Sequence, residues 1–275
     1  MKKLKVGAVI YDPKVTVIWD LIEKYFKEQG SEIEAVFFKD YKLQVDALVA
    51  GDIDVAWNSP LANLDARLRL EGAEKNGCMR DTDRDLETYL VAKKGRFNGV
   101  SDLKGKKIGF GATDSPQARL IPIYFLHQNG LEYQRDYDEE RFEIGVGLHG
   151  DHVGGELDSV KAMMNDEVDA SFTLISNYEA WIKDGTLDEN EVEIVGKTDK
   201  FDHCIFTFRP DADDNDIKEF DEILFKMDYN NPDHKEILDL EGLKEWVPGR
   251  RDGFEQITKA NEYLDNFIER FNSEQ

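Results

Sequence analysis

The chain is poor in proline and cysteine, is short of positive charge, and has no long apolar run. Seven prolines in 275 residues leave most helices and strands free of breakers. The two cysteines, Cys78 and Cys204, have no paired spacing, so a disulfide framework is unsupported and a single bridge between them stays open. No window approaches the roughly 18 apolar residues of a membrane-spanning helix. Lys and Arg number 35 against 58 Asp and Glu, a formal net charge of −23, which argues against nucleic acid or an anionic membrane surface as partner. The opening "MKKLKVGAVIYDP" lacks the apolar core and small-residue cleavage site of a signal peptide. Read as written the chain is cytoplasmic; it is periplasmic, or on the outer membrane face, if a leader has been trimmed.

What is present is a folded composition, 40% apolar and 34% charged, long enough for one or two domains. Strand-like runs alternate with helical patterns: "LKVGAVIY", "EIEAVFFK" and "IDVAWN" each precede a helix, and after "ETYLVAKKG" the series restarts at "SDLKGKKIGFG". Alternation of this kind predicts α/β architecture with mostly parallel sheets covered by helices. The two series predict two lobes, 1–95 with 200–275 and 96–199, joined by crossings near Gly95 and Lys200, with a ligand cleft between them and a C-terminal helical tail. An internal repeat supports this. "VDALVAGDIDVAW" and "VKAMMNDEVDASF" run in parallel, placing Asp54 on Asp169, while "KVGAVIYDP" and "KIGFGATDS" place Gly7 on Gly109 and Asp12 on Asp114.

Ligands of open parallel sheets bind beyond the carboxyl ends of the strands. Those positions hold Tyr11, Asp12, Asn58 and Ser59 in the first series, and Thr113, Asp114, Ser115 and Gln117 in the second. Ser59-Pro60 and Ser115-Pro116 are helix starts, with Ser as cap and Pro where its missing N–H costs nothing. Such starts either only cap their helices or, aimed into a cleft, offer N–H donors to an oxyanion. The Gly-rich stretch "GLHGDHVGGELDSV" brings His149, His152 and Glu156, and "FDHC" brings Asp202 and His203. Imidazole bonding to an anion is the leading reading; His149, His152, Glu156 and His203 also have the ligand types of a metal site, but His-x-x-His lacks the spacing of a helical pair. No cofactor is implied. Arg80, Asp81, Asp83 and Arg84 read as a solvated ion-pair network, with Arg80 a minor candidate for an oxyanion contact. Trp57 and Trp246 read as packing residues of core and tail.

The stretches "KVGAVIYDP", "VDALVAGDIDVAWNSPLA", "SDLKGKKIGFGATDSPQARLIP" and "VKAMMNDEVDA" resemble the phosphate, phosphite and phosphonate solute-binding proteins of ABC importers, a branch of the type II periplasmic-binding-protein fold. The resemblance implies a two-lobed clamshell that captures a small oxyanion without chemistry, works as a monomer and delivers its ligand to an ABC transporter permease. It assigns oxyanion contacts to Thr113 and Ser115, to Ser59, to Tyr11, and to a position in the loop from His149 to Glu156. Counting back from Val168 places Glu156 where the phosphonate binders have a His, or, with an insertion in the loop, His152 fills that role. With Asp12, Asp114 and Asp202 also near the cleft, the ligand expected is phosphonate-like, a zwitterion whose ammonium relieves carboxylate repulsion. A lyase or ligand sensor on the same fold, of chorismate-dehydratase type, is the alternative, with His152 or His203 as base. Replacing Ser59 or Ser115 by Ala is expected to weaken oxyanion binding by about 1–3 kcal/mol; unchanged calorimetric affinity in both variants would contradict the assignment.

Overall fold

The structure is a computed structural model that describes residues 1–143 and 153–274. The first half runs β1 (Leu4–Val9), α1 (Lys14–Glu28), β2 (Ile33–Phe38), α2 (Tyr41–Ala50), β3 (Val55–Asn58), α3 (Pro60–Arg69), β4 (Lys75–Asn76) and β5 (Met79–Arg80). Then follow β6 (Thr88–Lys93), β7 (Lys107–Phe110), α4 (Ile121–Gln128), β8 (Asp138–Arg141), α5 (Val153–Met164), β9 (Ala170–Leu174), α6 (Ile175–Asp184) and β10 (Val192–Lys197). The chain ends with β11 (Ile205–Phe208), α7 (Asp214–Phe225), α8 (Pro232–Glu241), β12 (Trp246–Val247), α9 (Glu255–Tyr263) and α10 (Phe267–Ser273).

Two five-stranded sheets carry these elements, in the orders β2-β1-β3-β11-β4 and β8-β7-β9-β6-β10. In each, the first three strands are parallel and the fourth is antiparallel. The fourth is the strand that adjoins a passage between the sheets, β11 in one and β6 in the other; the fifth is antiparallel to it and so runs with the first three, which leaves each sheet mostly parallel with one reversed strand. Strand β6 hydrogen-bonds to β9 and β10, so the stretch up to Gly95 that the sequence reading left with the first sheet belongs partly to the second.

The repeat is visible in the bonding. Asp54 accepts the backbone N–H of Lys5 at 2.9 Å and donates its own N–H to the Lys5 carbonyl at 2.9 Å. Asp169 does the same with Lys107, at 3.0 and 2.7 Å. Each carboxylate thus sets the register of its third strand against the first. Two residues on, neighbours pack onto the strand too closely for a side chain: a Cβ on Gly7 would lie 2.6 Å from Cδ1 of Ile53, just before β3, and 3.1 Å from Gln44 of α2, and one on Gly109 2.2 Å from Ser159 Oγ of α5. Ile53 and Val168, the residues preceding the two aspartates, are both buried.

The two passages between the sheets lie side by side. Leu86 and Phe201 exchange both backbone bonds, at 2.8 and 2.9 Å; His203 N–H donates to the Asp83 carbonyl at 2.8 Å, and Thr198 N–H to the Thr88 carbonyl at 3.0 Å. The C-terminal segment is tied to them by Arg250, whose Nε and Nη2 reach the two Asp202 carboxylate oxygens, both at 2.6 Å. Beyond it, α9 packs on α4 and on α3, and one apolar cluster joins Leu61 and Leu64 of α3, Ile121 and Ile123 of α4, and Ile257 and Ala260 of α9. The stretch "KEWVPG" is not part of a helical tail. It holds β12, which pairs with β5 through Trp246 and Arg80.

Asp221 of α7 anchors the turn that leads to β5 by accepting the Cys78 N–H at 2.9 Å. Burial pushes its carboxyl up to about 6, against a smaller opposing pull from the Cys78 hydrogen bonds. A carboxyl raised in the folded state favours folding when protonated, so this group's contribution declines as pH rises from about 4 to about 6. Asp221→Asn, which keeps the acceptor, should therefore stabilise the protein at pH 7 by on the order of 2 kcal/mol and leave it unchanged below pH 4. Urea unfolding across that range checks the sign; destabilisation at pH 7 would overturn it.

Candidate functional site

A cavity of ≈ 170 Å³ lies at the carboxyl ends of the first sheet, lined by Tyr11, Tyr41, Trp57, Ser59, Arg80, His203 and Cys204. Tyr11 follows β1, Tyr41 follows β2, Trp57 is the last residue but one of β3, and His203 and Cys204 lead into the antiparallel β11. All of them therefore come to the same end of the sheet. The space is that of several waters at ~30 Å³ each, enough for a small polyatomic ion.

Ser59 caps α3 as the sequence predicts: its Oγ accepts the Ala62 N–H at 3.3 Å and Pro60 follows at the first helical position. The hydroxyl oxygen is engaged as an acceptor, which leaves its O–H to donate. Asn58 stands behind it, fully buried, with Oδ1 accepting from Gln44 Nε2 at 2.8 Å. Its Nδ2 has no hydrogen-bond partner among the described residues.

Arg80 is not part of a solvated network. Its side chain and that of Asp83 are 17% and 5% exposed, because β12 and the end of α8 cover them. The guanidinium donates to Asp83 from Nε at 2.5 Å and from Nη2 at 2.9 Å, and to the Glu241 carbonyl from Nη1 at 2.9 Å. It stacks 5.4 Å from the centroid of Trp57. Burial is the largest influence and opposes its charge, but Asp83, Cys204 and Glu241 together outweigh burial and hold the guanidinium protonated. The Glu241 carboxyl, 3.6 Å from Nη1, is pushed up by burial and drawn back only partly by Arg80. Thus Arg80, which lines the cavity, is already matched by carboxylates.

His203 is 2% exposed. Its Nδ1 lies 3.1 Å from Cys204 Sγ and 3.6 Å from Asp83 Oδ1, and its Nε2 lies 3.4 Å from Gln117 Oε1. Gln117 belongs to the π-helical turn Pro116–Leu120 that runs into α4, and its carbonyl accepts from Thr88 Oγ1 at 2.8 Å. Groups of both sheets meet at this imidazole.

The other predicted residues scatter. Ser115 caps its helix through the Ala118 N–H at 3.1 Å and is buried, but it does not line this cavity. The two Ser-Pro starts are also not equivalent under the repeat: Ser59 closes the third strand of its sheet, whereas Ser115 follows the first strand of the other, where Pro13 is its counterpart. Thr113 donates to Glu143 and accepts from Arg141 Nη1 at 2.8 Å, and Asp114 is buried beside the Ser115 cap. Asp12 is exposed and accepts the Lys14 N–H at 2.8 Å, turning the chain into α1. Asp202 is held by Arg250 and by the Asp85 N–H at 3.0 Å. Glu156 Oε2 accepts from Thr173 Oγ1, the Leu174 N–H and Asn177 Nδ2 at 3.1, 2.8 and 2.9 Å. Asp202 is matched by Arg250, and Oε2 of Glu156 takes three donors of the chain, which lessens the repulsion that called for a zwitterion. His149 and His152 lie outside the described residues. Of the four metal candidates, His203 stands in a group that could hold an ion, with Asp83 and Cys204.

The sequence reading missed Tyr41, Asp83 and Cys204 and assigned Trp57 to packing alone. Tyr41 carries the same signal as Tyr11, an aromatic just past a strand's carboxyl end. Trp57 does pack, 5.7 Å from Trp246 at 78°, and lines the cavity as well.

The family described as "ABC transporter, phosphonate, periplasmic substrate-binding protein" matches residues 10–254. A protein of Prochlorococcus marinus (strain MIT 9301), named a probable ABC transporter phosphite binding protein, is 24% identical over 281 residues, covering 96% of this chain and 90% of its own. The solved structure of PhnD1 from the same organism in complex with methylphosphonate superposes with a TM-score of 0.68 at 21% identity, over 96% of this chain and 99% of that one. A protein of Xanthomonas citri solved bound to ATP gives a TM-score of 0.71 at 14% identity, over 98% and 99%. These likenesses establish the periplasmic-binding-protein fold.

The buried Arg80–Asp83 pair has a measurable consequence. Arg80→Met strands Asp83 beside Glu241 and should cost about 3–5 kcal/mol of stability, and adding Asp83→Asn should recover much of it. Denaturant unfolding of the single and double variants checks this; a loss below about 1 kcal/mol in Arg80→Met would show the pair to be solvated after all.

Proposed function

The chain belongs to the periplasmic phosphonate substrate-binding proteins of ABC transporters, and on that premise we propose that it binds a small phosphonate or phosphite in the cavity beside Ser59 for delivery to an ABC permease. The observation that carries this reading is the cavity's make-up. Its lining offers the Ser59 hydroxyl at the start of α3, with the positive end of the helix behind it, and the His203 imidazole, together with three aromatic side chains, Tyr11, Tyr41 and Trp57. An oxyanion suits the polar groups and a compact apolar substituent on phosphorus suits the aromatic ones. An enclosed site with neutral donors holds an anion through short hydrogen bonds to its oxygens, in keeping with Arg80 being engaged by Asp83.

The reading places the lobe boundary at the double passage, 81–88 and 198–203, in place of Gly95 and Lys200. The pairing of β6 with β9 and β10 supports this boundary. Ligand contact from the second lobe then comes through Gln117 and its neighbours, and binding selects a closed form. Action on the periplasmic side, alongside the permease, follows from the same premise.

Calorimetry with methylphosphonate, phosphite and phosphate tests the reading. Methylphosphonate should bind tighter than phosphite by about fourfold, the worth of ~0.8 kcal/mol for one buried methyl, and Tyr41→Ala should erase that preference. Tighter binding of phosphate than of methylphosphonate, or no binding of any of the three, would overturn it. Small-angle scattering should show compaction at saturating methylphosphonate; an unchanged radius of gyration would argue for a rigid pocket.

A further inference from the structure

Asp83, His203 and Cys204 are buried, at 3%, 2% and 6% residue exposure, and one donor atom from each lies within 4.8 Å of the others. Oxyanion binding as described does not account for a thiol and a carboxylate converging on one imidazole nitrogen. We propose that these three residues form a site for a zinc-like divalent cation whose remaining position faces the cavity.

A four-coordinate zinc with bonds of ~2.0–2.3 Å sets its donors roughly 3.3–3.8 Å apart. His203 Nδ1 stands 3.1 Å from Cys204 Sγ and 3.6 Å from Asp83 Oδ1, and donor atoms of Cys204 and Asp83 lie within 4.8 Å of each other, so side-chain adjustments of about an ångström reach that spacing. Thiolate, imidazole and carboxylate are ligands a borderline-soft divalent ion accepts together. The outer partners are also in place. Nε2 of His203 faces Gln117 Oε1 at 3.4 Å; donation there leaves Nδ1 as the lone-pair nitrogen, turned toward the other two ligands. The Asp83 carboxylate is fixed by the Arg80 guanidinium at 2.5 and 2.9 Å and keeps lone pairs for a metal. Charge balances as well: two positive charges on the ion and one on Arg80 meet one negative each on the Cys204 thiolate, Asp83 and Glu241, 3.6 Å from Arg80. Coordination displaces the thiol proton to solvent.

Three protein ligands leave one position of a tetrahedron for an outside group, and both His203 and Cys204 line the cavity. A phosphonate oxygen would fill it. This last step rests on the function proposed above, whereas the metal site does not.

Cobalt(II) is the probe. Titrating the full chain with Co²⁺, without phosphonate, should give one equivalent bound, with a thiolate-to-cobalt charge-transfer band in the near ultraviolet and the intense visible bands of four-coordinate cobalt. Cys204→Ser should abolish the charge-transfer band and His203→Gln should lower Co²⁺ affinity at least tenfold, while Cys78→Ser keeps both signals; circular dichroism verifies that each variant is folded. Absence of the bands in the unmodified protein, or their survival in Cys204→Ser, overturns the site. Adding methylphosphonate should shift the visible bands. If it binds by calorimetry without shifting them, the fourth-position contact fails while the metal site stands; if it does not bind at all, the ligand reading fails instead.

Discussion

The structure turns on the place where the chain crosses twice between its sheets. Segments 81–88 and 198–203 run antiparallel and share backbone bonds from Asp83–His203 through Leu86–Phe201 to Thr88–Thr198. A passage between two bodies would ordinarily be a floppy linker. Pairing the two passages satisfies their polar groups mutually, and Arg250 fastens Asp202 from the C-terminal segment. The strands that continue from the passages, β6 and β11, then enter opposite sheets in the antiparallel sense. The functional side chains of this region inherit their positions from that ladder: Asp83 and His203 face each other because their backbones are bonded, and Cys204 follows at the next residue.

Much of this was legible in the sequence. Both βαβαβ series, the helix starting at Pro116, and the correspondence of Asp54 with Asp169 rest on local patterns, in which apolar periodicity, caps and turns act over a few residues. The aspartate register clamp explains why the repeat is recognisable as letters: beside a backbone bond that any residue could make, each Asp carboxylate accepts the N–H of the lysine on the neighbouring strand, a bond most other side chains would not make. Arg80 was misread because its neighbours are charged, and charge in sequence suggests solvent. The cover is supplied by Trp246 and Glu241, more than 150 positions away in sequence, and no local pattern announces it. Trp246 was misplaced for a related reason, since a two-residue strand has no periodicity to detect. Asp202 and Glu156 were assigned to ligand because their own-chain donors, Arg250 and the Leu174 N–H, likewise come from distant segments.

Engaging Arg80 internally has an electrostatic logic. In a chain of net charge −23, an unmatched buried guanidinium facing the cavity would hold any small anion indiscriminately. Matched by Asp83 and Glu241, it acts as a rigid support for Trp57 and for the Asp83 carboxylate. In the proposed function, discrimination then falls to groups with direction, the Ser59 hydroxyl and the imidazole of His203, and to the aromatic side chains of the lining. Hydrogen bonds reject a ligand that lacks the matching atom more strongly than an apolar surface rejects one of the wrong size. The protein's net charge matters little at that range, because exposed charges are screened within about 8–10 Å in physiological salt.

The duplication explains the scaffold, and its breaking explains the site. Gly7 and Gly109, Lys5 and Lys107, Asp54 and Asp169 keep equivalent jobs because those jobs belong to strand packing, which both sheets need. The residues at the strand ends do not correspond. Tyr11-Asp12-Pro13 faces Thr113-Asp114-Ser115 in the repeat, yet the first triplet supplies a rim tyrosine and a turn, and the second a buried helix cap. The Ser-Pro start that lines the cavity follows the third strand in one sheet, and the one in the other sheet follows the first. A single ligand seated between two similar walls cannot contact both in the same way, since its own two ends differ. Equivalent scaffold positions with unlike strand-end residues are what such a ligand requires of a duplicated fold.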